Sequence, residues 1–290
     1  MAIFKKVCIV GLGLIGGSLA RAISERGLSS HVTGIDVDNR NLKEALDEGA
    51  IHSCGEIPGA FDGADLLILA TPVDTTLNLI SQISPHLSPG MIVTDVASTK
   101  EKIVSRASTV LPDNVLFVGG HPMAGSEKNG FRNSIPNLFD AAYYFITPTE
   151  YTSRDAIKKI KSLVKAIDAV PVEMPPGEHD QVVAALSHLP HLTATALVNI
   201  LCDRPGYPGF LPLAAGGFKD TTRIASSNPI MWQQILHSNS EKIIPVLDNL
   251  IDLLQHYKIL LEKGNTGHIM AELKKAREVR HQITCCKKDE

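Results

Sequence analysis

The sequence predicts an α/β domain with a parallel sheet, followed by an all-α domain. Three observations support this prediction. The chain begins with an apolar strand, a glycine-rich turn and a helix; strands and helices then alternate over the first 174 residues; and the pattern becomes helical after a Pro-Pro-Gly sequence at 175–177. We therefore expect one domain over residues 1–174 and a second over 175–290.

The composition agrees with two folded domains and argues against several classes of partner. The 290 residues are 44% hydrophobic and 20% charged, as in ordinary globular proteins. A net charge of −3 without a basic stripe argues against nucleic acid, and no uninterrupted apolar run is long enough to cross a membrane. The five cysteines include no C-x-x-C pair, and their odd number favours reduced thiols in a cytoplasm.

The first element is a buried strand at 7–10 that leads through a glycine turn into a helix. Gly11, Gly13 and Gly16 have the G-x-G-x-x-G spacing of Rossmann-type dinucleotide-binding domains. The first glycine permits the tight turn, the second lets a pyrophosphate approach the backbone, and the third lets the helix pack close to the strand. The helix N-terminus then offers free N–H groups and partial positive charge to the phosphates.

A second strand, at 32–35, ends in Asp36, which lies twenty residues after Gly16. An acid at this position accepts hydrogen bonds from the adenosine ribose and repels a 2′-phosphate, so the expected cofactor is NAD rather than NADP. A nucleoside triphosphate loop would need Lys before Ser18, where the chain has Gly17. A signal peptide and a purely structural glycine turn remain alternatives, although the glycines and Asp36 favour the dinucleotide site.

The strands and helices continue to alternate up to the boundary. Asp38 is expected to cap a helix that stops at Gly49, Ser98 or Thr99 to cap a later one, and Ser153 another. Apolar strands are predicted at 64–70, 91–96, 115–118 and 143–146, with a proline-containing edge strand at 170–173. Ligands of such sheets bind beyond the carboxyl ends of the strands, so one site should include the residues that follow those ends: Gly11, Asp36, Thr71, Ser98 and His121.

The segment 119–127 contains the strongest candidate for a catalytic residue. His121 follows a predicted strand and is preceded by glycines, so we expect an exposed side chain that acts as an acid or base near neutral pH. Ser98 either orients His121 by a hydrogen bond or only caps the next helix. The segment 125–140, rich in Gly, Asn and Pro, is a candidate lid.

Two polar clusters stand out in the helical half. His188 and His191 share a helix face next to Pro190, which is expected to kink the helix; a zinc site would need a third ligand and H-E-x-x-H, so no metal is expected. Arg223 offers a planar fork for a carboxylate, or a surface ion pair with Asp220. Farther on, apolar residues from 243 to 261 form a heptad seam that packs either within the domain or between subunits.

The chain resembles the prephenate dehydrogenase family. The resemblance rests on six segments in the same order across nearly the whole chain: 11–18, 70–73, 95–100, 120–127, 187–191 and 218–223. The first is common to many dehydrogenases, and the last three are specific. The resemblance implies a Rossmann-type NAD-binding domain, an all-α dimerisation domain and a homodimer. It also implies oxidative decarboxylation of prephenate to 4-hydroxyphenylpyruvate in tyrosine biosynthesis.

The resemblance also implies roles for individual residues. His121 would take the proton of the C4 hydroxyl as hydride leaves C4 for NAD, Ser98 would position His121, and Arg223 would clamp a substrate carboxylate. Around the substrate the resemblance also places Ser187, His191 and Trp232, with Glu127 and Asp220 pairing with Arg223. The cofactor-binding set is Gly11, Gly13, Leu14, Ile15, Gly16, Asp36, Thr71, Pro72 and Ser98. Two alternatives remain: a dehydrogenase acting on arogenate or another hydroxy acid, and a non-catalytic NAD-sensing module.

Overall fold

Eight strands form one sheet in the order β3-β2-β1-β4-β5-β6-β7-β8. The computed structural model describes residues 2–126, 128–202 and 206–285. Its strands are β1 (Phe4–Val10), β2 (Ser29–Ile35), β3 (Ser53–Cys54), β4 (Leu66–Leu69), β5 (Ile92–Asp95), β6 (Leu116–Pro122), β7 (Tyr143–Thr147) and β8 (Val170–Glu173). The first six follow the strand order of dinucleotide-binding sheets, which confirms the predicted α/β fold.

Helices flank the sheet and make up the C-terminal part of the described chain. They are α1 (Leu14–Glu25), α2 (Asn39–Asp47), α3 (Val73–Ile83), α4 (Glu101–Val110), α5 (Arg154–Ala166), α6 (Pro176–Val183), α7 (Leu189–Cys202), α8 (Gly216–Thr222), α9 (Pro229–Ser238), α10 (Ser240–Glu262) and α11 (Thr266–Cys285). By internal contacts the chain forms two units, Met1–Lys242 and Ile243–Glu290. The second unit holds most of α10 and all of the described part of α11.

The core lies on both faces of the sheet because successive strand residues point to opposite sides. In β1, Val7 and Ile9 belong to a cluster that includes residues of α1 and α5. The intervening Cys8 and Val10 belong to a second cluster, with residues of α3 and α4. Each face is therefore covered by helices, and ligands can approach only from the ends of the strands.

The sheet is parallel as predicted, except at one pair of neighbouring strands. β7 runs antiparallel to β6, whereas every other neighbouring pair is parallel. The described residues between these two strands, 123–126 and 128–142, contain a short 3-10 turn, Phe131–Asn133, and no crossover helix, which a parallel connection normally requires. Phe131 and Phe139 are fully buried, so the candidate lid is anchored to the core from residue 131 onward.

Helix capping was predicted correctly at two helices and wrongly at a third. The side chains of Asp38 and Ser153 accept hydrogen bonds from the first turns of α2 and α5, as expected. At α4, neither Ser98 nor Thr99 is the cap. The carboxylate of Asp180, on α6, accepts hydrogen bonds from the backbone N–H groups of Lys100 at 2.8 Å and Glu101 at 2.9 Å. This cap comes from far along the chain, so local sequence does not reveal it.

The long helical stretch after the Pro-Pro-Gly sequence is interrupted next to Pro190, where the sequence predicts a kink. A π-helical turn, Ala184–His188, joins α6 to α7 immediately before Pro190. Proline supplies no N–H and its ring crowds the carbonyl four residues earlier, so a widened turn relieves the conflict.

The same helical stretch, Pro176–Cys202, is long and apolar enough to cross a membrane by length and composition alone, although Glu178 and Asp180 interrupt its apolar residues.

Candidate active site

A cavity of about 290 Å³ opens at the carboxyl ends of the central strands. Its wall contains seven of the residues predicted from the sequence: Gly13, Leu14, Ile15, Thr71, Pro72, Ser98 and His121. The glycine turn after β1, the loop after β4, the loop after β5 and the end of β6 supply these side chains and backbone groups. Parallel strands bring these four chain segments to the same edge of the sheet, as expected for a ligand site.

The glycine turn has the local geometry that a dinucleotide requires. Gly11 has a φ of +93°, and a Cβ on it would lie 2.4 Å from the Ala70 carbonyl oxygen. A Cβ on Gly16 would lie 1.9 Å from the Gly11 carbonyl oxygen, so only glycine lets α1 approach β1 this closely. A Cβ on Gly13 would meet no atom within 4 Å, and no side chain caps α1 there. Free N–H groups therefore face open space, which suits a pyrophosphate.

Asp36 stands at the end of β2 with a fixed carboxylate. Its two oxygens accept hydrogen bonds from the backbone N–H groups of Leu12 at 2.6 Å and Asp38 at 2.7 Å. A carboxylate has about four lone-pair sites, so both oxygens can also accept hydrogen bonds from vicinal ribose hydroxyls. Asp36 is half-buried and lies outside the cavity wall itself, where the adenosine end of a dinucleotide would extend.

His121 is buried within β6, and the prediction of an exposed residue after the strand is wrong. It is 9% exposed, because β6 continues through the two glycines to Pro122. Its Nδ1 lies 2.9 Å from Nε2 of His179, and Nδ1 of His179 lies 2.8 Å from Oδ1 of Asp180. The imidazole therefore borders the cavity, while its inner nitrogen begins a buried chain of hydrogen bonds. His179 occupies Nδ1 of His121, and the described residues show no hydrogen bond between Ser98 and His121, so the role of Ser98 remains a prediction.

A buried ion pair holds the strand ends under His121. The ammonium of Lys100 pairs with the carboxylate of Asp95 and donates to the Gly120 carbonyl at 2.8 Å; both side chains are fully buried. Asp95 in turn accepts hydrogen bonds from the backbone N–H groups of Gly120 at 3.2 Å and Ala97 at 3.0 Å. These contacts fix β6 against β5 directly before His121. Loss of either partner would leave the other charge buried and unpaired, which would strongly destabilise the folded protein.

The surroundings of His121 and His179 favour the neutral form of both rings. Burial lowers the pKa of His121 well below its usual value, and the neighbouring His179 and the Lys100 ammonium lower it further. Burial also lowers the pKa of His179, although the Asp180 carboxylate opposes this shift. A neutral imidazole can accept a proton, so His121 is prepared to act as a base near neutral pH.

A second group of rings comes from the helical half. The ring of His191 stacks on Trp232 with centroids 3.5 Å apart, and His188 meets the same indole edge-on at 5.9 Å. Asn239 donates hydrogen bonds to Nδ1 of His188 at 3.1 Å and to the Asp180 carbonyl at 2.8 Å. Burial lowers the pKa of His188 to about 4. Among the described residues, neither nitrogen of the buried His191 meets the geometry of a hydrogen bond. Burial lowers the pKa of His191.

The remaining predicted residues are not brought onto this cavity wall. Arg223 and Asp220 are exposed at and near the end of α8, and Ser187 is half-buried in the π-helical turn. Among the described residues, α9 contributes Met231 and Ile235 to the wall rather than Trp232. Glu127 lies outside the described residues. The substrate roles expected for these side chains therefore remain predictions.

Sequence reasoning missed the residues behind His121. His179 and Asp180 lie two and three residues after the Pro-Pro-Gly sequence, in a stretch whose pattern predicts only a helix. A signal was present, because a His-Asp pair on a mainly apolar helix needs buried polar partners. Lys100 and its partner Asp95 lie five residues apart in one stretch of the sequence, 95–100, but the sequence does not show that they form a buried ion pair.

Comparisons with known proteins agree over most of the chain. Residues 19–173 match the family model described as prephenate dehydrogenase, nucleotide-binding domain, and residues 175–275 match prephenate dehydrogenase, dimerization domain. The prephenate dehydrogenase of Bacillus subtilis is 38% identical over 94% of this chain and 75% of its own length.

Two solved structures extend this similarity to the fold. The A. aeolicus prephenate dehydrogenase, in complex with hydroxyphenyl propionate and NAD+, has a TM-score of 0.90 and 34% identity, covering 96% of this chain and 98% of that one. The Synechocystis arogenate dehydrogenase has a TM-score of 0.82 and 30% identity, covering 96% of this chain and 99% of that one.

Proposed function

Because the chain belongs to the prephenate dehydrogenase family and is an NAD-dependent oxidoreductase, we propose that its substrate is prephenate. The product would be 4-hydroxyphenylpyruvate, formed by oxidative decarboxylation in tyrosine biosynthesis. The observation that carries the proposal is a neutral, buried His121 on the wall of a cavity that begins at the glycine turn. A base and a dinucleotide site in one cavity are what oxidation of a carbinol requires.

In the proposed reaction, His121 accepts one proton from the substrate and later returns it to the product. Bound NAD+ supplies the hydride acceptor. Nδ1 of His121 is hydrogen-bonded to His179, so Nε2 is the nitrogen that faces the substrate. Nε2 accepts the C4 hydroxyl proton as hydride leaves C4 for NAD+ and C4–O becomes a carbonyl. Cleavage of the ring–carboxylate bond then releases CO2, and its electron pair makes the ring aromatic. The resulting phenolate oxygen recovers the proton from His121, so no proton is consumed overall.

The other predicted residues have roles in binding. Arg223 would hold a substrate carboxylate, while Ser98 would lie between His121 and the nicotinamide. Ser187, His191 and Trp232 would surround the ring and side chain; the stacked, buried His191 with two unpartnered nitrogens supports a polar contact of this kind. Glu127 and Asp220 would pair with Arg223 and control entry.

The proposal extends to assembly, location and domain limits. We propose a homodimer formed by the helical half in the cytoplasm, with domains at 1–174 and 175–290. The match to a dimerization domain supports the assembly. Exposed apolar side chains on α7 and α10 support it further, among them Ile200, Leu254 and Leu261. Surfaces of this kind mark association sites.

The test is NADH formation followed by absorbance, with purified protein, NAD and either prephenate or arogenate. Prephenate is expected to give the higher kcat/KM, with 4-hydroxyphenylpyruvate as the product. Higher kcat/KM with arogenate, giving tyrosine, would support the alternative that the arogenate dehydrogenase relative represents. Turnover of neither substrate, with NAD still bound, would favour the sensing module and contradict the proposal.

A further inference from the structure

The hydrogen bonds behind His121 determine which of its nitrogens carries the proton. Asp180 accepts two backbone N–H bonds and so presents its carboxylate only as an acceptor. Nδ1 of His179, 2.8 Å away, must therefore donate. With His179 neutral, its Nε2 has a lone pair and must accept from Nδ1 of His121 at 2.9 Å. Nδ1 of His121 is then the protonated nitrogen, and Nε2 carries the lone pair.

Burial and the Lys100 ammonium disfavour a proton on His121, and the Asp180 carboxylate lies at the other end of this chain of hydrogen bonds, where its charge offsets part of that penalty. Lys100 and Asp95 compensate each other in their buried pair. The Asp180 carboxylate is 2% exposed, and its hydrogen bonds come from neutral groups: the α4 backbone and His179. Among the described residues, no hydrogen bond to the Asp180 carboxylate therefore comes from a cation while His179 is neutral. A proton on His121 adds a positive charge at the far end of the chain, and His179 connects that charge to Asp180 by hydrogen bonds.

We propose that His179 and Asp180 are positioning residues for His121: they hold it in the Nδ1–H tautomer and stabilise the imidazolium formed during turnover. The proposal rests on the proposed function only in assigning His121 as the base. The substrate's hydroxyl proton binds to Nε2 of His121, the Nδ1–H bond to His179 stays intact, and the same proton later returns to the product oxygen. His179 gains and loses no proton in this step.

The first test compares two substitutions of His179. In His179→Leu no acceptor remains for Nδ1–H, so kcat is expected to fall by about 10²-fold while the KM for substrate and the Kd for NAD change by less than about threefold. In His179→Gln the side-chain carbonyl can still accept, so a substantial part of the lost kcat is expected to return. A purely structural role would make the two variants equally impaired.

A matched control removes another hydrogen-bonded histidine. His31, on β2, contacts Ser53 Oγ at 2.8 Å at the far side of the sheet. His31→Leu is expected to leave kcat and KM unchanged. If His179→Leu behaves like this control, His179 does not act through His121 and the proposal is overturned.

The second test reads the tautomer directly and needs no turnover. Nitrogen-15 NMR of the histidine-labelled wild-type enzyme with bound NAD distinguishes Nδ1–H from Nε2–H, with His121→Asn identifying the signal. We expect Nδ1–H in the wild type and a mixture of tautomers in His179→Leu. An Nε2–H tautomer in the wild type would overturn the proposal. Since this result is independent of substrate, it stands apart from a failure to turn over prephenate or arogenate.

Discussion

His121 should contribute to the chemical step far more than to binding. His121→Asn removes the base, so kcat is expected to fall by about 10²–10⁴-fold with a smaller change in the KM for substrate and none in NAD affinity. Steady-state kinetics with the preferred substrate, together with NAD titration, measures this. A variant that kept its kcat and lost only substrate affinity would show that His121 is a binding residue.

The pH profile of the wild-type enzyme should reflect the buried position of His121. Burial lowers its pKa well below the usual value, so the neutral form that accepts a proton is present at and above neutral pH. Activity should therefore be lost only as the pH falls through this lowered pKa. We expect the acid limb of kcat/KM in the wild type to lie below the usual histidine pKa of about 6.5. An acid limb above that value would contradict the neutral-base assignment.

Asp36 should decide the choice of cofactor. Its carboxylate, fixed by two backbone N–H groups, can accept from ribose hydroxyls but repels a 2′-phosphate. We expect a much higher kcat/KM with NAD than with NADP, and Asp36→Ser combined with a neighbouring basic residue should reduce the difference. Comparison of the two cofactors at fixed substrate tests this. A wild-type preference for NADP would contradict the role of Asp36.

Arg223 is predicted to hold a carboxylate that is charged both before and after hydride transfer. Arg223→Ala should therefore raise KM mainly, by an amount equivalent to about 2–4 kcal/mol for a charge-assisted pair. Arg223→Lys should restore only part of this loss, because an ammonium lacks the planar fork. Steady-state kinetics of both variants checks the prediction, and a fall in kcat with unchanged KM would contradict it.

Two helix caps offer a comparison between stability and catalysis. Asp180 caps α4 and also contacts His179, whereas Ser153 caps α5 away from the cavity. Removing either cap with alanine should lower the free energy of unfolding by about 0.5–2 kcal/mol, with Ser153 at the lower end. Only Asp180→Ala should also lower kcat. Urea unfolding and steady-state kinetics of both variants measure this; equal effects on kcat would show that Asp180 acts through stability alone.

The helical half should join two chains. Light scattering at micromolar concentration is expected to report twice the chain mass of 31.3 kDa. Leu254, 56% exposed on the heptad seam of α10, should lie in the contact, so Leu254→Asp should shift the protein toward 31.3 kDa because the charge would be buried. Asp252→Asn, exposed on the same helix, is the control and should remain dimeric. A wild-type monomer at all concentrations would refute the dimer.

The order of elements was largely determined by local sequence. The apolar runs, the capping residues Asp38 and Ser153 and the glycine spacing each act within a few neighbours, so seven of the eight described strands and the glycine turn after β1 were predicted correctly. The two-residue strand β3 is too short to give a periodic signal and was not predicted. The direction of β7 was not, because it depends on how the chain between β6 and β7 packs. The burial of Phe131 and Phe139, which fixes that segment, is a property of the folded core.

The sequence by itself determined the family, the cofactor loop, Asp36 and the nomination of His121, because these depend on spacing along one strand, turn or helix. Only the tertiary structure decided what surrounds His121. Asp180 lies 59 residues from His121 along the chain, and it reaches the site through His179 while capping α4. Hydrogen bonds between distant segments form only when the core brings those segments together, and no local pattern encodes them.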